Sequence, residues 1–270
     1  MGKHKGFTFI EITLFLAVTA ALFIGVALGV RNSIFQQQYY DATQNFFEFM
    51  RSVYSEVSNP QSVGAGNSNY AIYGKLIVFG ETVDLLGETA PSNDQQVFVY
   101  DVVGDATAAG TGDVKSLLKG AGVSVVFVNR NIYNMVSSIE FASPEKYATK
   151  WGAGIETIDR AKMQRSILVV RHPRSGTINT LVLNEAIQVN QMVMQARNTC
   201  IGKTDCAIAS TMLTNKIDAF STFEQDLCVN PYGFGKSSGV SRRDVRILDN
   251  ARNASSVELI DLDSTDNRCK

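Results

Sequence analysis

Glu11 is a carboxylate placed where water is scarce. It stands four positions into a 24-residue apolar run, Phe7 to Val30, that reads FTFIEITLFLAVTAALFIGVALGV. A run of that length crosses a bilayer core, which takes about 20 residues. A carboxylate inside such a run costs up to about 3 kcal/mol at mid-membrane and less near the interface. The chemistry available to it is ion pairing, and an ionisable group at that place is a functional candidate with a partner to be found. The run follows the basic start MGKHKG. Lys3 and Lys5 hold that end in the cytoplasm and put the remaining chain outside.

The second set of reactive side chains is Cys200, Cys206, Cys228 and Cys269, all within the last 71 residues. An even count in an exported region points to two disulfides. Three pairings are possible; the favoured one is Cys200–Cys206 as a tight loop and Cys228–Cys269 as a clamp on the C-terminus. Zinc is the weaker reading of these sulfurs. The spacings are not C-x-x-C, and His172 is the only histidine beyond His4. No metal and no cofactor are assigned.

Other motifs carry less. Gly235-Lys236-Ser237-Ser238-Gly239 matches G-x-S-x-G, but its flanks read as loop and His172 precedes it. His172 sits before Pro173, where a surface turn is the simpler account. Gly202-Lys203-Thr204 and Gly235-Lys236-Ser237 end like a P-loop but lack its first glycine. Asp261, Asp263 and Asp266 could ligate calcium, although acidic turns are commonly just solvated. Asn253-Ala254-Ser255 fits a glycosylation acceptor. The catalytic inventory is thin, and we expect no enzyme.

Charge narrows the partners. The chain carries 25 basic and 26 acidic residues, net −1. A general nucleic-acid footprint is therefore absent. Two local basic clusters remain: Arg160, Lys162, Arg165, Arg171 and Arg174, then Lys236, Arg242, Arg243, Arg246 and Arg252. Clusters of this kind are mostly solvated faces, so nucleic acid is not an expected partner.

The elements that must position these groups begin with one long helix. Phe35, Tyr39, Ala42, Phe46, Phe49 and Val53 alternate by four and three, the spacing of a buried helical stripe. A second stripe, Tyr40, Phe47 and Tyr54, repeats every seven residues. It either meets neighbouring helices or widens one core face. Asn59-Pro60 stops the helix, because proline disfavours helical geometry in the residue before it. From Phe7 to Ser58 the helix is about 78 Å long at 1.5 Å per residue. Gly25 and Gly29 form a G-x-x-x-G that permits close helix approach in lipid.

Residues 59–71 read as a connection and 104–113 as a flexible tip. Strands are expected at Lys75–Phe79, Gln96–Val103, Val123–Asn129, Val136–Phe141, Ser166–Arg171, Thr177–Leu183, Val245–Leu248 and Val257–Leu262. Pro173-Arg174-Ser175-Gly176 should turn the fifth and sixth into a hairpin. Glu185–Arg197 and Cys206–Lys216 read as short helices, and 229–243 as a loop.

Gly6-Phe7-Thr8-Phe9-Ile10-Glu11, behind Lys3, His4 and Lys5, resembles the processing site of type IV pilins and type II secretion pseudopilins. The resemblance is specific over residues 1–30 and general over 31–58. It implies that prepilin peptidase cuts after Gly6 and methylates Phe7. It implies that Glu11 pairs with the free amine of Phe7 on a neighbouring subunit during assembly. Many members carry a proline in the second half of the helix, whereas residues 7–58 here have none. The exported region is larger than in typical abundant pilins, which favours a minor pilin or pseudopilin.

The expected fold class is α+β: a long N-terminal α-helix whose outer half packs on an antiparallel sheet. The expected organisation is a leader at 1–6, a transmembrane and assembly helix at 7–30, its amphipathic continuation at 31–58, and an exported globular domain at 59–270. The implied partners are prepilin peptidase, other pilin subunits and the inner membrane. The implied place is the cytoplasmic membrane before assembly, then a surface or periplasmic filament. Two alternatives stand beside this reading. One is a signal-anchored surface enzyme or binding protein that never assembles. The other is a DNA-uptake pilin using the arginine clusters. Ordinary signal peptidase cleavage near Ala27-Leu28-Gly29 is the competing fate of the N-terminus.

Overall fold

The computed structural model describes residues 8–59, 70–80, 96–105, 112–141, 145–156, 164–173, 175–204, 213–230, 242–248, 252–262 and 269. Helix α1 runs unbroken from Phe9 to Ser58. Thr8 caps its start in extended geometry, and Asn59 closes its end by donating to Ser55 and Glu56 carbonyls. The expected stop before Pro60 is therefore observed.

Beyond the helix the described residues build three antiparallel sheets. The largest joins β1 (Tyr70–Phe79), β2 (Gln96–Asp105), β5 (Glu145–Ala148), β7 (Arg165–Arg171) and β8 (Ile178–Leu183) in the order β5-β2-β1-β7-β8. A second joins β6 (Gly154–Glu156), β9 (Gln225–Asn230), β10 (Arg242–Ile247) and β11 (Val257–Leu262) in the order β11-β10-β9-β6. The third is the hairpin β3 (Val126–Arg130) and β4 (Val136–Phe141). Helices α2 (Val114–Gly120) and α3 (Val189–Cys200) join them, with short 3-10 turns at Lys150–Gly152, Ile217–Ala219 and Ala254–Ser256. The class is α+β with antiparallel sheets.

The five-stranded sheet is buried on both faces, which explains its continuous apolar runs. Side chains alternate across a strand, so Leu76 and Val78 go one way and Ile77 and Phe79 the other. Leu76, Val78, Phe98, Tyr100, Leu168 and Leu181 share one buried cluster with Leu117 and Leu118 of α2 and Val193 of α3. Ile77, Phe79, Val97, Val99, Ile167 and Val169 belong to another, together with Leu227 and Val245 of the second sheet. Tyr39, Ala42, Phe46, Phe49, Met50, Val53, Tyr54 and Val57 of α1 fall in that second cluster.

The first helical stripe is buried as its spacing predicts. The second does not face away: Tyr54 is buried in the same cluster, and Tyr40 and Phe47 pack on its edge. Individual contacts fix the register. The Tyr54 hydroxyl is 2.7 Å from Thr180 Oγ1. Phe46 meets Phe79 edge-on with centroids 6.5 Å apart, and Phe49 stacks on Tyr147 at 4.2 Å. Gly74 lies where β1 crosses closest to β7: a Cβ built there would sit 2.0 Å from the Val169 carbonyl oxygen. No other residue fits that approach.

Several sequence expectations need correction. Helix α3 starts at Val189 rather than Glu185 and ends at Cys200 rather than Arg197. The Ser166 hydroxyl donates to Glu185 O and accepts from Ile187 N–H, which ties 185–187 to β7 in a non-helical path. Residues 229–230 belong to β9 and 242–243 to β10, so the expected loop loses both ends. Gly104 and Asp105 belong to β2, and Tyr70 and Ala71 to β1. Helix α2 and strands β5, β6 and β9 were not expected. Strands β5 and β6 are only four and three residues long. They form because β2 and β9 offer them paired edges. Of the expected helix 206–216, only 213–216 is described, and it is helical.

Candidate functional site

The first turn of α1 holds the candidate carboxylate. Thr8 and Glu11 form a capping box, in which each side chain answers the other's backbone. Thr8 N–H donates to Glu11 Oε2 at 2.8 Å, and the Thr8 hydroxyl reaches the same oxygen at 3.0 Å. Glu11 N–H donates back to Thr8 Oγ1 at 3.3 Å. The carboxylate thus also lies at the positive end of the helix dipole, where a negative charge is favoured. Among the described residues of the chain, the hydrogen-bond partners of the Glu11 carboxylate are the hydroxyl and amide of Thr8. Gly6 and Phe7, the other two expected site residues, lie outside the described residues.

The helix around this carboxylate is bare. Phe9 is 80% exposed and Phe23 77%, and exposure of large apolar side chains continues through Val30 and Ile34. This is the one helix among the described residues long and apolar enough to cross a membrane. Its hydroxyls are satisfied internally: Thr13 donates to Ile10 O, and Thr19 to Phe15 O and Leu16 O. Internal satisfaction is what a spanning helix requires, because lipid supplies no partners. Cβ atoms built on Gly25 and Gly29 meet nothing within 4 Å, so that small-residue face is open.

Cys228 and Cys269 are disulfide-bonded with their Cα atoms 5.2 Å apart. Cys200 is disulfide-bonded as well. Cys206, its expected partner, lies outside the described residues. The bond to Cys269 anchors the end of the chain on β9, and Arg242 Nη1 adds a hydrogen bond to the Cys269 carbonyl.

Two of the arginines of β10, Arg243 and Arg246, face carboxylates. Arg243 Nε is 2.6 Å from Asp261, and its guanidinium lies 4.1 Å over the Tyr40 ring. Arg246 Nε is 2.9 Å from Glu224 and 2.7 Å from Asp226. Arg165 donates to Gln225. Arg160, Lys162, Arg174 and Lys236 lie outside the described residues. Asp261 serves Arg243, while Asp263 and Asp266 lie outside.

The lesser motifs are accounted for locally. His172 Nδ1 accepts from Ser175 N–H in the β7–β8 turn, as a surface turn residue would. Gly202 N–H is committed to Val136 O, so this stretch does not present a phosphate cradle. Asn253 Oδ1 caps the turn Ala254–Ser256. Gly235 to Gly239 lie outside the described residues.

Asp244 is the residue that sequence reasoning missed. It is fully buried on β10, and among the described residues neither carboxylate oxygen has a hydrogen-bond partner, Arg246 Nη2 lying 4.0 Å from Oδ2. Burial, then the neighbouring Asp226, push its carboxyl up to about 8, with Arg246 pulling the other way. The available signal was alternation: Arg242, Asp244 and Arg246 share one face of the strand, and Arg243, Val245 and Ile247 the other.

Comparison with family models, with curated proteins and with solved structures found no match.

Proposed function

We propose that this chain is a structural subunit of a type IV pilus-like filament, a minor pilin or pseudopilin, and not an enzyme. The observation that carries the reading is a bare apolar helix, spanning-length, with one carboxylate in its first turn. Such a helix is stable in lipid while the subunit waits. It is equally able to pack against its like, with the open Gly25 and Gly29 face allowing close approach. Prepilin peptidase would cut after Gly6, and the new amine of Phe7 would meet Glu11 of the next subunit. On this reading the outer half of α1 packs on the five-stranded sheet. The contacts of Phe46 with Phe79 and Tyr54 with Thr180 support that arrangement. The exported domain would then be carried rigidly by the helix.

The membrane-inserted chain would keep Lys3 and Lys5 in the cytoplasm and its sheets outside. Arg243 and Arg246 of β10 give no support to DNA uptake, since Asp261, Glu224 and Asp226 face them. The deciding experiment is the intact mass and N-terminal residue of the chain recovered from membranes. The expected result is a mature chain that begins at Phe7 and is methylated there. A mature start near Val30 would overturn the filament reading, because the assembly helix would be gone. An uncut chain that never enters fibres would favour the signal-anchored alternative.

A further inference from the structure

Asp244 stands directly across from Cys228 in the β9–β10 register. One of its carboxylate oxygens, Cys228 Sγ and Cys269 Sγ all lie within 4.8 Å of one another, and all three residues are buried. Native proteins rarely bury a carboxylate without hydrogen bonds, and each case calls for an account. Here the surroundings are partly apolar and partly charged. Leu262 and Ile260 of β11 pack on the disulfide. Arg246 Nη2 is 4.0 Å from Asp244 Oδ2 and is itself held by Asp226 of β9 and by Glu224. Arg242 tethers the Cys269 carbonyl.

We infer that Cys228, Cys269 and Asp244 form a binding site for zinc or a similar soft divalent ion when the disulfide is open. The step is a two-electron reduction. A dithiol reductant transfers two electrons and two protons, leaves as its own disulfide, and the S–S bond breaks to two thiols. The metal then displaces the two thiol protons and any proton on the Asp244 carboxyl, which leave to solvent, and binds both thiolates with the Asp244 carboxylate. Two thiolates and one carboxylate suit zinc or cobalt, while calcium and magnesium take all-oxygen sets. Tetrahedral ligands at zinc distances are about 3.5–3.8 Å apart, so the two sulfurs must separate from bonding distance while the carboxylate oxygen, already within 4.8 Å of both, stays beside them. The Arg242 hydrogen bond to the Cys269 carbonyl keeps the tail beside β10 after the S–S bond opens. The guanidinium of Arg246 offsets the net negative charge of three anionic ligands on one dication. The carboxylate, which in the disulfide state has Arg246 at 4.0 Å but no hydrogen bond among the described residues, thereby gains a direct ligand bond.

Metal and disulfide exclude each other at these sulfurs, so the site reports redox state. If the domain is exported, as the filament reading has it, metal would occupy the chain before oxidation and be expelled by it. The site itself does not depend on that reading.

The test uses the full chain in detergent, reduced with a phosphine under anaerobic conditions and titrated with Co2+. The expected result is one bound Co2+ per chain with thiolate-to-cobalt charge-transfer absorption, displaced by Zn2+ and absent from the oxidised chain. Cys200→Ser should keep the band, and Cys269→Ser should lose it. Asp244→Asn should weaken Co2+ binding at least about tenfold, the effect expected on losing a ligand. No band in the reduced parent, or a band retained by Cys269→Ser, overturns the inference. So does unchanged affinity in Asp244→Asn. If Asp244→Asn does not fold, the Cys269→Ser and Cys200→Ser pair still decides. These readouts are independent of processing after Gly6, so failure here and failure of the filament reading are separable.

Discussion

The Tyr39 hydroxyl of α1 accepts a hydrogen bond from the backbone N–H of Arg243 on β10 at 2.8 Å. The same hydroxyl donates to the Val229 carbonyl on β9 at 2.9 Å. One phenol thus takes up two backbone groups of neighbouring strands, 190 and 204 residues away in sequence. Tyr39→Phe should keep the ring packing and leave both backbone groups without this partner. The expected cost is about 1–3 kcal/mol, read as a lower denaturant midpoint with unchanged slope.

The same residue gives a pH dependence. Burial pushes the Tyr39 hydroxyl up to about 12. Its folded value is raised, so the contribution is complete below the unfolded value near 10 and is lost as pH rises towards 12. Parental stability should therefore fall in that alkaline window by up to about 1.4 kcal/mol per pH unit from this group. Tyr39→Phe should show a shallower alkaline slope. Equal slopes in parent and variant, followed by chemical denaturation at stepped pH, would show that Tyr39 does not titrate there.

Glu11 has two separable roles to test, a cap within its own chain and a pair between chains. Thr8→Val removes the hydroxyl but leaves the carboxylate, and fibre incorporation should persist. Glu11→Val should leave membrane residence and the fold of residues 59–270 intact while depleting the chain from fibres. Glu11→Asp should be intermediate, because the shorter side chain reaches less far. Recovery of Glu11→Val in sheared fibres at the parental ratio to membrane content would refute the pairing role.

Processing can be tested at Gly6. A bulky residue in its place should leave the leader attached, with an intact mass higher by residues 1–6 and no methyl group. Loss of the leader in that variant would point to a different cleavage.

The two expected disulfides should differ in weight. The Cys228–Cys269 bond spans 41 positions. Chain-entropy estimates give about 4 kcal/mol for a loop of that size and about 2 kcal/mol for a loop closed between Cys200 and Cys206. Cys269→Ser should lower the melting temperature more than Cys200→Ser. Non-reducing peptide mapping should recover the 228–269 linkage, and four alkylatable thiols in native protein would rule both bonds out.

The sequence by itself determined the elements whose signal is local. A 24-residue, largely apolar run with one acid specifies a bare helix of spanning length, because the pattern is read by the solvent and not by a neighbour. The alternation of Phe35, Tyr39, Ala42 and Phe46 specifies which side of α1 is buried, and Asn59-Pro60 where it stops. Val136–Phe141 and Val257–Leu262 were legible to the residue, since β-branched runs bounded by breakers need little context. Tertiary structure alone decided the rest. Strands β5 and β6 exist because an edge was available, which no local pattern encodes. The start of α3 was set by Ser166, 23 residues before it, through hydrogen bonds that hold 185–187 out of the helix. Asp244 beside Cys228 and Cys269 was invisible because its neighbours are 16 and 25 positions away and meet it only through strand register and a disulfide. Short-range patterns record which surface a residue prefers, and only the folded chain records which groups that preference brings together.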